Sequence, residues 1–182
     1  YMPAPDFSTG GEIIYRREEM ERIFNTGLGS FQIRSRWRYL PDERIIEVYE
    51  IPYTTKTDVI IERIVKLSKE GKVREIADIR DETDLSGLRI AIDLKRGVDP
   101  EQLMAKLFRS TTLQDSFSCN FNVLVDGYPR VMGVREILSE WVAWRVESTR
   151  RRMNFDLDKK TDRLHLLHGL EAILLDIDKA LA

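Results

Sequence analysis

Polar and apolar residues alternate through "SFQIRSRWRYL" (30–40), setting Phe31, Ile33, Ser35, Trp37 and Tyr39 on one side and Gln32, Arg34, Arg36 and Arg38 on the other. Period two is the signature of extended chain, so the run predicts a strand with a core face and a row of arginines opposite. A second run, "RIIEVYEIPY" (44–53), follows after "PDE", where proline and aspartate favour a tight turn, which makes the pair a hairpin. Upstream, "RREEMERIFNTG" (16–27) reads as a short helix with Met20, Ile23 and Phe24 on one face and Gly27 at its stop. After "EIPY" the period becomes helical. "KTDVIIERIVKLSKEG" (56–71) puts Val59, Ile60, Ile64, Val65 and Leu67 on or near one stripe and ends at Gly71.

Strand alternation returns in "LRIAIDLKRG" (88–97), where Leu88, Ile90, Ile92 and Leu94 interleave with Arg89, Ala91, Asp93 and Lys95. "DPEQLMAKLFRST" (99–111) is a further helix, with Asp99 as its N-cap and Pro100 at the first helical position. "FSCNFNVLV" (117–125) reads as a strand, and "FNVLVDGYPRVM" (121–132) as a hairpin turning at Asp126 and Gly127. No glycine or proline interrupts residues 134–168. There Ile137, Leu138, Trp141 and Trp144 mark one stripe, and Leu167, Leu170, Leu174, Ile177 and Leu181 recur at spacings of three and four, a heptad seam awaiting a partner helix. Strands, helices and hairpins alternating at short range predict an α+β fold, a two-layer α/β sandwich with an antiparallel or mixed sheet, followed by a long C-terminal helical arm.

One stretch breaks the pattern. "REIADIRDETDLSG" (74–87) packs Asp78, Asp81, Glu82 and Asp84 into seven positions. A metal site needs carboxylates converging on one point, but the order D-x-x-D-E-x-D lacks the alternate acids, central glycine and terminal glutamate of a calcium loop. In the structural reading Asp81 and Asp84 accept backbone N–H groups in turns, and Arg74, Arg80 and Arg89 supply countercharge. Both readings stand on spacing alone. No catalytic residue and no metal ligand is assigned from the sequence: His165 and His168 lie three apart among leucines, and no phosphate-cradling glycine loop is present. Cys119, the single cysteine, excludes an internal disulfide and reads as a small half-buried apolar residue.

Composition suits a folded domain with an appended arm: 182 residues, 42% hydrophobic and 33% charged. No run is long and apolar enough for a membrane span, and the N-terminus lacks the order of a signal peptide, so a cytoplasmic location is expected. A formal net charge of −2 gives no bulk attraction to nucleic acid, so any such contact must be local. Residues 141–163 hold seven cations against four anions, which fits a phosphate-facing strip or a solvated helix face. The strand arginines Arg34, Arg36 and Arg38, with Lys95 and Arg96 at a strand end, are candidate phosphate contacts, spaced for a backbone and without geometry for base edges.

"PDFSTGG", "TGLGSFQIRSR", "EIPY", "IRDETDLSGLRIAIDLKR" and "RMNFDLDKKTDRLHLLHGL" occur in the order and spacing of the A subunit of bacterial type IIA topoisomerases, and the chain resembles that family over residues 3–182. The resemblance implies an internal portion of that subunit. Residues 1–11 are then a linker from the winged-helix domain, residues 12–133 a tower-like domain flanking the DNA gate, and residues 134–182 the start of the coiled-coil arm toward the exit gate. It further implies a parent enzyme that breaks and reseals DNA, with a partner B subunit supplying ATP hydrolysis and Mg2+, an A-subunit homodimer within an A2B2 heterotetramer, and double-stranded DNA as substrate. The active tyrosine and the magnesium carboxylates lie elsewhere in that family, so this portion carries no cofactor. Arg34 and Arg36 match the family's paired arginines. Three departures stand out: Thr54-Thr55-Lys56-Thr57 follows "EIPY" where the family has x-x-N-K, Arg38 occupies a position usually acidic or apolar, and His168 replaces a common glutamate before Gly169.

Overall fold

The computed structural model describes residues 2–175 and 177. Its strands pair antiparallel throughout, in three sheets. A three-stranded sheet has the order β1 (Glu12–Ile14), β2 (Leu28–Arg34), β7 (Gln114–Asn120). A four-stranded sheet has the order β3 (Arg36–Leu40), β4 (Ile45–Glu50), β6 (Ile90–Leu94), β5 (Ile76–Asp81), and β8 (Asn122–Val125) with β9 (Tyr128–Val131) forms a hairpin. Four helices complete the described chain: α1 (Arg17–Thr26), α2 (Thr57–Lys69), α3 (Pro100–Ser110) and α4 (Val134–Leu175). The architecture is α+β with a C-terminal helix, and every sheet is antiparallel where a mixed one was also open.

Two apolar clusters hold it. The larger joins the inward residues of the four-stranded sheet, Ile46, Val48, Ile76, Ile90, Ile92 and Leu94, to Ile60, Ile64 and Leu67 of α2 and Leu103, Met104 and Leu107 of α3. The smaller sets Met20 and Ile23 of α1 on Phe31 and Ile33 of β2 and Cys119 of β7. The stripe expected on α2 is narrower than its periodicity suggests, since Val59 is exposed. Within residues 1–11, expected as a linker, Ala4 and Phe7 pack on the smaller cluster, Phe7 edge-on to Phe117 at 4.9 Å.

The long alternating run at 30–40 is not one strand. Ser35 separates β2 from β3, which belong to different sheets, and its N–H donates to Leu113 O at 2.7 Å. The alternation continues across the break, which is why period alone does not reveal it. A second difference lies in the acidic stretch, half of which is strand β5, paired with β6 from Ile76 opposite Leu94 to Asp81 opposite Ile90.

Local signals act as expected elsewhere. Asp99 caps α3 by accepting from Glu101 N at 2.9 Å and Gln102 N at 3.4 Å. Asp126 and Gly127 turn the β8–β9 hairpin with positive φ of 51° and 83°. Gly27 ends α1 in the left-handed region, φ 74°, and lies so close to the chain before α4 that a Cβ there would stand 2.3 Å from Met132 O. At about 1.5 Å per residue, the 42 residues of α4 span roughly 63 Å. No helix among the described residues is long and apolar enough to cross a membrane. Leu181, the last residue of the expected seam, lies outside the described residues.

Candidate nucleic-acid interface

The outer face of the four-stranded sheet carries charges from all four strands, and they form one connected ladder. Arg38 of β3 donates to Glu47 of β4, and Arg89 Nε lies 3.2 Å from Glu47 and 3.2 Å from Glu82. Arg80 of β5 donates to Glu82 at 3.1 Å, to Asp78 at 3.1 Å and to Asp93 of β6 at 2.5 Å. Cross-strand neighbours set this pairing, because Arg38 sits opposite Glu47 and Arg80 opposite Ala91, near Asp93. Three carboxylates pull the Arg80 guanidinium pKa further above its ordinary value, the Asp93 hydrogen bond most of all.

Glu47 is buried. The hydrogen bond from Arg38 holds its carboxyl below the usual carboxylate range, against the desolvation that burial imposes, and the charge of Arg89 helps.

The carboxylates of the acidic stretch each have a bonding partner. Asp78 and Glu82 belong to the ladder, while Asp81 accepts from Thr83 N at 3.0 Å and Asp84 from Ser86 N at 2.8 Å, closing the β5–β6 turn. Those turn bonds, through the side chains of Thr83 and Ser86 first, hold both aspartate pKa values low. Arg80 and Arg89 give the expected countercharge, but Arg74 turns away and donates to Gly71 O. Among the described residues no group of three or more His, Cys, Asp and Glu side chains is placed to hold a metal ion. His168 Nδ1 lies 3.4 Å from Glu171 on α4, and Cys119 is buried, which raises its thiol pKa.

The candidate phosphate contacts do not converge on one point. Arg34 ends β2, half-buried, with its guanidinium 4.6 Å above the Phe108 ring and Nε donating to Gln114 at 3.0 Å. Arg36 begins β3, exposed, 3.5 Å from Glu50. These two share a cleft of about 730 Å³ at the junction of the two larger sheets, with Tyr49, Trp37, Glu12 and Glu101 along its walls. Arg38 is committed to Glu47. Lys95 and Arg96 follow β6 at the end of the four-stranded sheet opposite Arg36. Lys95 donates to Arg74 O at 2.6 Å, while Arg96 makes no hydrogen bond or ion pair among the described residues.

A second cleft, of about 570 Å³, opens between α2 and α3 and contains Arg63, Lys66 and Arg109. Sequence reasoning passes over these three. The spacing of Arg63 and Lys66, three apart on an amphipathic helix, is the available signal. On α4 the basic strip is partly self-neutralised, since Arg150 and Arg151 both approach Glu147, at 3.5 and 4.0 Å.

Fold and surface together define a class: an antiparallel α+β protein whose sheets carry charged outer faces and lead into one long exposed helix. Over residues 1–182 the chain matches the family of DNA gyrase and topoisomerase IV A subunits, and it belongs to that family. It is 40% identical over 184 residues to the DNA gyrase A subunit of Ureaplasma parvum serovar 3, aligning 100% of this chain with 22% of that protein. It is 38% identical over 185 residues to a probable chloroplastic/mitochondrial DNA gyrase A subunit of Oryza sativa subsp. japonica, covering 99% of this chain and 20% of the relative. Against the DNA gyrase A subunit of Granulibacter bethesdensis the identity is 39% over 183 residues, 99% of this chain and 19% of the relative. The chain thus spans about a fifth of the length of the relatives it matches.

Proposed function

We propose that this chain is part of the DNA breakage-reunion subunit of an ATP-dependent type II DNA topoisomerase, where it serves as a non-catalytic scaffold that steadies the bent gate duplex through phosphate contacts. The family match across residues 1–182 carries this reading. Residues 12–133 then form the two-layer tower-like domain, residues 134–182 begin the arm linking the DNA gate to the exit gate, and residues 1–11 lead in from a winged-helix domain. The partners are double-stranded DNA, a second copy of the same polypeptide, and a B subunit that brings ATP and Mg2+, in an A2B2 assembly in the cytoplasm.

Bending a duplex costs on the order of several kcal/mol, and phosphate contacts flanking the break offset that cost without reading sequence. Arg34 and Arg36 in the inter-sheet cleft, with Lys95 and Arg96 at the far end of the sheet, are the residues assigned to this work. The test is to reverse these four charges in the complete polypeptide and measure duplex affinity across salt. Each lost phosphate contact lowers the log–log slope by about 0.9, so a fall of about 3 to 4 is expected, and an unchanged slope removes these residues from the interface.

The engaged side chains favour a second reading, an arm-positioning module with no direct DNA contact, because Arg38 is paired with Glu47 and Arg34 is stacked on Phe108. Under it the four-residue variant keeps its salt slope.

A further inference from the structure

We infer that the polyanion-binding surface continues around the C-terminal end of α3 onto Arg109, Arg63 and Lys66, a second phosphate-binding patch beyond the strand arginines. This rests on the reading of the chain as a support for duplex DNA.

Cations on this surface differ in whether a carboxylate already holds them. Arg36, Arg38, Arg80, Arg89, Lys72 and Lys106 each face a carboxylate within ion-pair distance. Among the described residues none of Arg63, Lys66 and Arg109 does. Arg63 Nε makes a single hydrogen bond, to Ser110 O at 3.3 Å; Glu62 is the one acid lining the cleft among the described residues, and Glu70, beyond ion-pair distance, is also within the electrostatic reach of Lys66 and Arg63. A cation with no ion pair can neutralise a phosphate, and so release counterions condensed on the duplex, without first giving up an internal carboxylate, so in a chain of net charge −2 such a local excess favours a polyanion there.

Packing fixes the patch in place. Ile60, Ile64 and Leu67 bury one face of α2, and Leu103, Met104 and Leu107 bury one face of α3, which leaves Arg63, Lys66 and Arg109 exposed along the groove between the helices. Phe108 immediately precedes Arg109, and Arg34 covers the Phe108 ring at 4.6 Å. Arg34 and Arg36 thus lie in the cleft on the Phe108 side of α3, and Arg109, Arg63 and Lys66 line the cleft toward α2.

A helix C-terminus ordinarily repels anions through its unpaired carbonyls. Here two of those groups are occupied: Leu107 O accepts from Thr111 N at 2.9 Å and Thr111 Oγ1 at 2.7 Å, and Ser110 O accepts from Arg63 Nε at 3.3 Å. Exposed cations lining a groove between two helices suit phosphates, which ask for charge and no base-edge register, so the ligand is the sugar–phosphate backbone.

The experiment compares two variants of the complete polypeptide, Arg63→Gln/Lys66→Gln/Arg109→Gln and Arg34→Gln/Arg36→Gln, by duplex affinity across salt. The triple variant is expected to lower the log–log slope by about 2 to 3 while leaving the thermal midpoint nearly unchanged. A reduced slope in the strand pair alone overturns this inference and leaves the proposed function standing; unchanged slopes in both count against the two together. Should the triple variant fail to fold, acetylation of Lys66 in the unmodified protein, with and without a DNA duplex, decides the matter. Protection of Lys66 relative to Lys72 supports the patch, and equal labelling of both overturns it.

Discussion

Glu47, with its side chain 7% exposed, lies beneath two guanidiniums and is the pivot of the outer-face ladder. Its carboxyl titrates lower in the folded chain than in the unfolded one, so the stability it contributes is complete above the unfolded value, near about pH 4.3, and is lost as pH falls through the folded value. Glu47→Gln is expected to destabilise by about 1–3 kcal/mol at neutral pH in urea denaturation, and to flatten the loss of stability that the unmodified chain shows on acidification below about pH 4.3. Cys119 behaves oppositely, since burial raises its thiol pKa. A maleimide is expected to label it only after denaturant is added; labelling at the native rate of an exposed thiol would contradict the packing around it. At this scale the sequence discloses which arginines share a face but not their partners. Glu47 and Glu50 reach Arg38 and Arg36 from a neighbouring strand, and strand register is not a function of spacing along one segment.

Among the elements, the junction of α1 with α4 depends on two close approaches. A Cβ on Gly133 would stand 2.4 Å from Asn25 O, and one on Gly27 would meet Met132 O. Gly133→Ala is therefore expected to push the root of α4 off α1 and lower stability by about 1–3 kcal/mol in denaturant unfolding, while leaving helix content unchanged in circular dichroism. Helix caps and the β8–β9 turn are legible because each is fixed by residues adjacent in sequence, as with Asp99 ahead of Pro100 and Asp126 ahead of Gly127. The break at Ser35 and the strand β5 are not. The first is a change of hydrogen-bonding partner that leaves the alternation intact. The second presents Asp78, Arg80 and Asp81 where a strand usually shows neutral residues, its charges balanced within the strand by the Asp78–Arg80 pair and across it by Asp93 of β6.

Across the whole molecule, charge includes a self-neutralised ladder on one sheet face and, in the cleft between α2 and α3, three cations without an ion pair among the described residues. Since the carboxylates at 78–84 are consumed by turns and arginines, millimolar Mg2+ is expected to leave both their carboxyl chemical shifts and the thermal midpoint unchanged; a site-specific shift at Asp81 or Asp84 would restore the metal reading. The long helix extends roughly 63 Å with no buried residue among those described, and under the proposed function it would carry leverage from the α+β body to distant parts of an assembly. The most direct test of that central claim is the bend of a gate-length duplex held by the complete polypeptide, read by energy transfer between dyes at its two ends. Neutralising Arg34, Arg36, Arg63, Lys66 and Arg109 together is predicted to lengthen the end-to-end distance toward that of free duplex while strand cleavage chemistry persists; a bend identical to that of the unmodified protein would contradict the account.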